Sequence, residues 1–212
     1  ARRQRQMCIR DSLNTTSLRS LSTDAVAALA TEQIASLTTA QAASLTTLQV
    51  SSLDTAQVAA ISTAAVAALT TAGIRALDDT GAAALTTAQS AALTTNQLQA
   101  LYTQQVAALG TSNIAGLSSA QISKLTSAQV GALTTEQVVA ITTDNVAALT
   151  TAQVRALSTD HMAAITTEQV VAITTSQAAI LTSAQVTALS TEQMAAVETR
   201  DLVALTLSLI HI

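Results

Sequence analysis

The sequence predicts an all-α solenoid built from very short, separately capped helices, one for every eight residues. Three observations carry that prediction. From Leu13 to Ala204 one octapeptide is written 24 times in a single register without insertion or deletion, most clearly from Leu133, where LTTEQVVA, ITTDNVAA, LTTAQVRA and LSTDHMAA follow one another. The third position of the octad is Thr, Ser or Asp in all 24 copies, with Asp79 the one acid. These are the residue types whose short side-chain oxygen accepts hydrogen bonds from the free N–H groups at a helix start. Finally, a continuous helix advancing about 100° per residue would turn the leucine stripe by roughly 80° per octad, so a single long rod could not keep its leucines buried.

Within the octad, position 1 holds 19 Leu, 4 Ile and Val197. Position 6 is mostly Val, Ile, Leu or Met, and position 8 is nearly always Ala, Ser or Gly. Positions 1 and 6 therefore supply the core. Position 2 is usually Thr, Ser or Asp as well, and with Gln at position 5 it makes the T-x-x-Q spacing of a capping box. The cap falls on position 2 or position 3, and helices are expected to start at position 3 or 4. Glu or Asp at position 4 (Asp24, Glu32, Glu136, Asp144, Asp160, Glu168, Glu192) then lies in the first turn, where the helix dipole favours negative charge.

One octad cannot stand alone, because burying one Leu and one Val returns less than the entropy of fixing eight residues, so neighbouring octads must share their burial. From residue 123 onward position 7 alternates between Ser123, Val139, Arg155, Val171, Thr187 and Val203 and the small set Gly131, Ala147, Ala163, Ala179 and Ala195. This period of sixteen predicts two octads per coil, about twelve coils in all, with the small set facing a close helix contact. The alternation fades toward the N-terminus, which leaves three octads per coil as the alternative. A β-solenoid is the rival fold, since Thr favours strands, but Ala at positions 7 and 8, Gln at position 5 and only five glycines suit tight-turned strands poorly. The weakest stretch is residues 69 to 84, LTTAGIRALDDTGAAA, where Gly73 and Gly81 replace Gln and Ala82 replaces Val; a soft joint is expected there.

The ends differ in kind. Residues 1–12 (ARRQRQMCIRDS) and 207–212 (LSLIHI) share neither the octad nor its composition. Back-translated, they resemble the two strands of a transposase-type sequencing adapter, so both are expected to be non-native segments flanking 13–206, a fragment of a longer, metagenomic gene. The alternative is a basic N-terminal arm. Without the adapter-like ends, Cys8 and His211 leave the chemistry, and 13–206 carries 5 basic and 12 acidic residues, a net of −7 against −4 for the whole chain. A leader, an anchor or a catalytic domain beyond either cut stays open.

The chain has 49% hydrophobic residues but no Phe, Trp or Pro and a single aromatic residue, Tyr102, so the core must be thin. A polar residue interrupts every octad, so no run approaches the ~18 apolar residues of a membrane helix. Few residues invite chemistry. His161, beside Asp160, occupies the Gln position and reads as a solvated variant with no convergent partners for base or metal work. Of Asp78 and Asp79 one is a cap, and calcium needs six or more oxygens. Glu198, Arg200 and Asp201 read as a charged end octad. No catalytic, cofactor-binding or metal residues are predicted, no cofactor is expected, and no enzyme motif is present.

Two resemblances bear on function. LTTEQVVAI (133–141), with a near copy at 165–173 that differs only in Ile165 for Leu133, resembles the first-helix sequence LTPEQVVAI of TAL effector DNA-binding repeats. It implies shared helix-start chemistry only, because the base-reading loop is missing and an acidic array is repelled by phosphate; no nucleic-acid partner is expected. As a whole, 13–206 resembles the Leu-Thr-Thr-x-Gln-Val-x-Ala arrays of large bacterial proteins, many of them surface or adhesin-like. That resemblance implies a cell-surface or secreted setting and a structural spacer or scaffold role. A repeat module binding a protein or glycan is the alternative, and ice binding through threonine ladders a remote one.

Overall fold

The computed structural model describes residues 14–197 together with 202, 203 and 205. The adapter-like segments and the residues Glu198, Arg200 and Asp201 lie outside them. Among the described residues there is one short helix per octad, from Thr15–Arg19 to Thr191–Ala196, and no strand, so the β-solenoid is set aside. Every helix begins at position 3 and runs for four to six residues, as in Ser119–Ile122, Thr135–Val139 and Thr151–Ala156.

The octad explains each boundary. Position 2 is extended, as at Thr134 (φ −77°, ψ 162°), and its hydroxyl accepts from the position-5 N–H. The position-6 N–H donates to the position-2 carbonyl, as in Val138 to Thr134 at 3.0 Å. At the far end the next leucine tightens the turn: the Leu101 N–H donates to the Leu98 carbonyl at 3.2 Å, a 3₁₀-type closure that stops the helix. Position 2 is therefore the cap, and position 3, the more uniform of the two, is the first helical residue. Ala30, Tyr102 and Gly110 stand at position 2 without a side-chain cap.

The chain divides into two units, residues 1–109 and 110–212. In the first, Thr15–Arg19 packs against Thr39–Ser44, Thr39–Ser44 against Thr63–Ala68, and Thr63–Ala68 against Thr87–Ala92; in the second, Ser127–Gly131 packs against Thr151–Ala156 and Thr167–Val171 against Thr191–Ala196. Within each unit a helix thus meets the one three octads on. A coil is three octads, or three helices, and the two octads per coil expected from position 7 are corrected. The period of sixteen misled because position 7 is mostly a surface position: Val139 and Val171 are exposed, as are Ala147 and Ala163 of the small set. Gly131 does face a close contact, since a Cβ there would sit 3.0 Å from the Ala156 carbonyl oxygen, but that neighbour is 25 residues away, in the coil three octads on.

Positions 1 and 6 form the core in both units, with Val58, Val66, Leu98 and Val106 fully buried in the first and Ile122, Val130 and Met162 in the second. In the second unit these two rows enclose an apolar gap of about 20 Å³ between Val138, Val146, Val154 and Met162. Among the described residues no helix is long and apolar enough to cross a membrane.

Candidate functional site

The most ordered polar feature is a row of buried amides at position 5. Gln97 is 2% exposed. Its Oε1 accepts from the Thr94 N–H at 2.8 Å while the Thr94 Oγ1 accepts from the Gln97 N–H at 3.2 Å, which closes the capping box. Its Nε2 then donates to the carbonyls of Val66 at 2.9 Å and Leu69 at 2.8 Å, 31 and 28 residues earlier. Those carbonyls mark the corner where one helix of the coil below ends and the next begins. Carbonyls at a helix end have no partner inside their own helix, so one amide caps its own helix and satisfies the end of another.

The arrangement repeats. In the first unit Gln49 reaches Leu18 and Leu21, Gln57 reaches Ala27 and Leu29, Gln89 reaches Val58 and Ile61, and Gln105 reaches Arg75 and Leu77. In the second, Gln153 reaches Ile122 and Leu125, Gln169 reaches Val138 and Ile141, Gln177 reaches Val146 and Leu149, and Gln185 reaches Val154 and Leu157. Sequence reasoning missed this cross-coil role and saw only the capping box. A signal was present: the substitutes Asn113, Asn145 and His161 each keep an N–H donor, which a solvated position would not require.

His161 is the clearest correction. It is 5% exposed rather than solvated, because the imidazole takes over both jobs of the amide. Its Nδ1 faces the Ser158 N–H at 3.2 Å and its Nε2 faces the Leu133 carbonyl at 2.8 Å. An N–H donor on one side and a carbonyl acceptor on the other assign the neutral tautomer with the proton on Nε2. Asn145 is shorter and does half the work: its Nδ2 donates to the Leu117 carbonyl at 2.7 Å, and its Oδ1 accepts from the Ser119 hydroxyl at 2.9 Å.

Asp78 is the cap of its pair and Asp79 the first helical residue. The Gly81 N–H at 2.7 Å and the Thr80 hydroxyl at 2.8 Å both donate to Asp78 Oδ1, and these bonds, the Gly81 one foremost, hold its carboxyl below the usual range. Glu136 and Glu168, fully exposed at position 4, are lowered too, first by their own backbone N–H groups and then by the hydroxyls of Thr134 and Thr166. Among the described residues no three His, Cys, Asp or Glu side chains gather closely enough to hold a metal ion.

One surface feature breaks the repeat. Tyr102 stands where a cap oxygen is usual, half exposed, and the Arg75 guanidinium lies over its ring at 4.3 Å from the centroid. The pair borders an open depression of about 430 Å³ with Thr71, Ala72, Ala76 and Ala100. Such cation–π stacking contributes on the order of 0.5–1 kcal/mol at an exposed site.

No curated protein and no solved structure matches the chain. A family model described as the ALTTAQ repeat matches residues 11–39, 58–95, 91–119, 114–143 and 138–175. These matches cover more than half of the sequence and repeat the octad that builds both units, so the chain belongs to the ALTTAQ repeat family.

Proposed function

We propose that residues 13–206 form a structural spacer or scaffold segment of a larger, surface or secreted protein, with no chemistry of its own. The observation that supports this reading is the use of the buried polar groups. The position-5 amides and the imidazole of His161, groups that elsewhere do chemistry or recognition, are hydrogen-bonded into the backbone corners. Residues 13–206 presented to a panel of cell-surface proteins and glycans should capture nothing saturably. A saturable partner would replace the spacer reading.

A second reading, a module that binds a protein or glycan, is favoured by the Arg75–Tyr102 depression alone. It requires that binding be lost in Tyr102→Ala with helicity unchanged. Ice binding has less support, since the position-3 row, exposed at some octads and half-buried at others, admits Ser119, Ser127, Ser183 and Asp79 and so lacks a continuous set of methyl groups. Dilute solutions should show no thermal hysteresis.

A further inference from the structure

Between Gln57 and Gln89 the position-5 residues are Ala65, Gly73 and Gly81, none of which has a side-chain donor. Three octads make a coil, so these consecutive losses remove the corner bond from one full turn of the interface between coils. In the common register their partners would be the carbonyls 31 and 28 residues earlier: Ile34 and Leu37, Ala42 and Leu45, Val50 and Leu53. No glutamine amide reaches these corners from the coil above. The helices on the two sides, Thr39–Ser44 with Thr63–Ala68, Thr47–Ser51 with Thr71–Arg75, and Thr55–Ala60 with Asp79–Ala83, meet through apolar packing in which Val50, Ala65, Val66, Ile74 and Ala82 are fully buried. Gly73 lies against this contact directly, as a Cβ there would sit 3.6 Å from Val50 Cγ2. The turns on either side keep their bonds, Gln49 and Gln57 below and Gln89, Gln97 and Gln105 above.

We propose that this turn of the interface is a built-in parting plane, where the first unit opens between residues 39–60 and 63–83 before any other pair of its coils separates. At the unit's other two interfaces a coil can leave its neighbour only by exposing apolar surface and also breaking the hydrogen bonds of buried amides, Gln49 and Gln57 at one and Gln89, Gln97 and Gln105 at the other. Here it need only expose the surface. The two glycines compound the effect, because once the plane opens the helices Thr71–Arg75 and Asp79–Ala83 are the poorest formers in the unit. Under tension the segment lengthens here first, and the coil 85–108 stays closed. The parting plane is a property of the fold and stands whether or not the segment serves as a spacer.

Hydrogen exchange of the whole chain, read peptide by peptide by mass spectrometry, tests the inference. Amides of the helices in 39–83 should exchange about tenfold or more faster than those in 87–108. The triple variant Ala65→Gln, Gly73→Gln, Gly81→Gln should bring the two regions to within about threefold, and the matching triple Met variant, equal in length but without a donor, should not. If the Gln triple does not fold, the opposite experiment decides: Gln89→Met, Gln97→Met and Gln105→Met should create a second plane and speed exchange in 87–108 to the level of 39–83. Equal exchange in both regions of the unmodified chain, or equal slowing by the Gln and Met triples, would overturn the proposal.

Discussion

The coils 61–84 and 85–108 have the same octad, the same helix starts and, apart from Ile61, the same leucine row, yet they are held to the coil beneath them by different means. The upper one buries Gln89, Gln97 and Gln105 and spends each on a helix corner below. The lower one has Ala65, Gly73 and Gly81 at those places and relies on apolar contact. The comparison teaches that the octad contains two separable instructions. Leucine, valine and the position-2 cap make a short helix and its core, whereas the glutamine fastens one coil to another. The first can be kept while the second is dropped, and the coil still forms.

Removing the fastening where it exists should have the largest effect. Gln97→Met leaves the Leu69 carbonyl and the Thr94 N–H without their amide partner, while the Val66 carbonyl keeps the Leu69 N–H at 3.1 Å, so it should cost about 2 kcal/mol by urea unfolding, since each orphaned buried group costs roughly 1–3 kcal/mol. A loss below about 1 kcal/mol would mean that the amides are incidental and the two coils equivalent. The capping instruction is smaller and can be tested by itself. Thr134→Ala should cost about 1 kcal/mol and Thr135→Ala only a few tenths, because the Thr134 hydroxyl accepts the Gln137 N–H and Thr135 is already inside the helix. A reversed order would move the cap to position 3.

Core quality differs too, and here the well-fastened coil is the poorer one. Ser90 is fully buried at position 6, where the neighbouring octads place Val66 and Leu98. Ser90→Val should raise stability by about 1 kcal/mol, read as an upward shift in the thermal midpoint.

The smallest effect is electrostatic. Asp78, in the less fastened coil, and Glu136 and Glu168, in the second unit, have carboxyls lowered in the folded chain. Their contribution is therefore fully present above the unfolded values of about 3.9 for Asp and 4.3 for Glu, and it disappears as pH falls through the lower folded values. The part of the stability that these three carboxyls supply should be constant from pH 7 to about 5 and decline below about 4, and Asp78→Asn should make that decline shallower in a pH series of thermal midpoints.

Much of this architecture was legible in the residues. The octad register, the helical class, the restart of a helix in every octad and the burial of positions 1 and 6 all follow from local chemistry, and each is observed. The loss of the usual glutamine at Gly73 and Gly81 is plain in the sequence, and Ala65 belongs with them once the coil is known. The number of octads per coil was not legible, because it depends on how corners stack. The position-7 alternation that suggested two lies mostly on the surface, where a period can arise without packing. His161 was misplaced for a related reason: polar residues are usually exposed, and only the distant Leu133 carbonyl makes its burial favourable.

The central claim is that a position-5 amide fastens the corner 28 to 31 residues before it, which fixes three octads per coil. Nuclear Overhauser contacts from the Gln97 side-chain amide protons test it most directly. The account predicts cross peaks to Val66 and Leu69 and slow solvent exchange of those protons. Cross peaks instead to residues near 81, sixteen positions earlier, or fast exchange with no long-range contact, would contradict it.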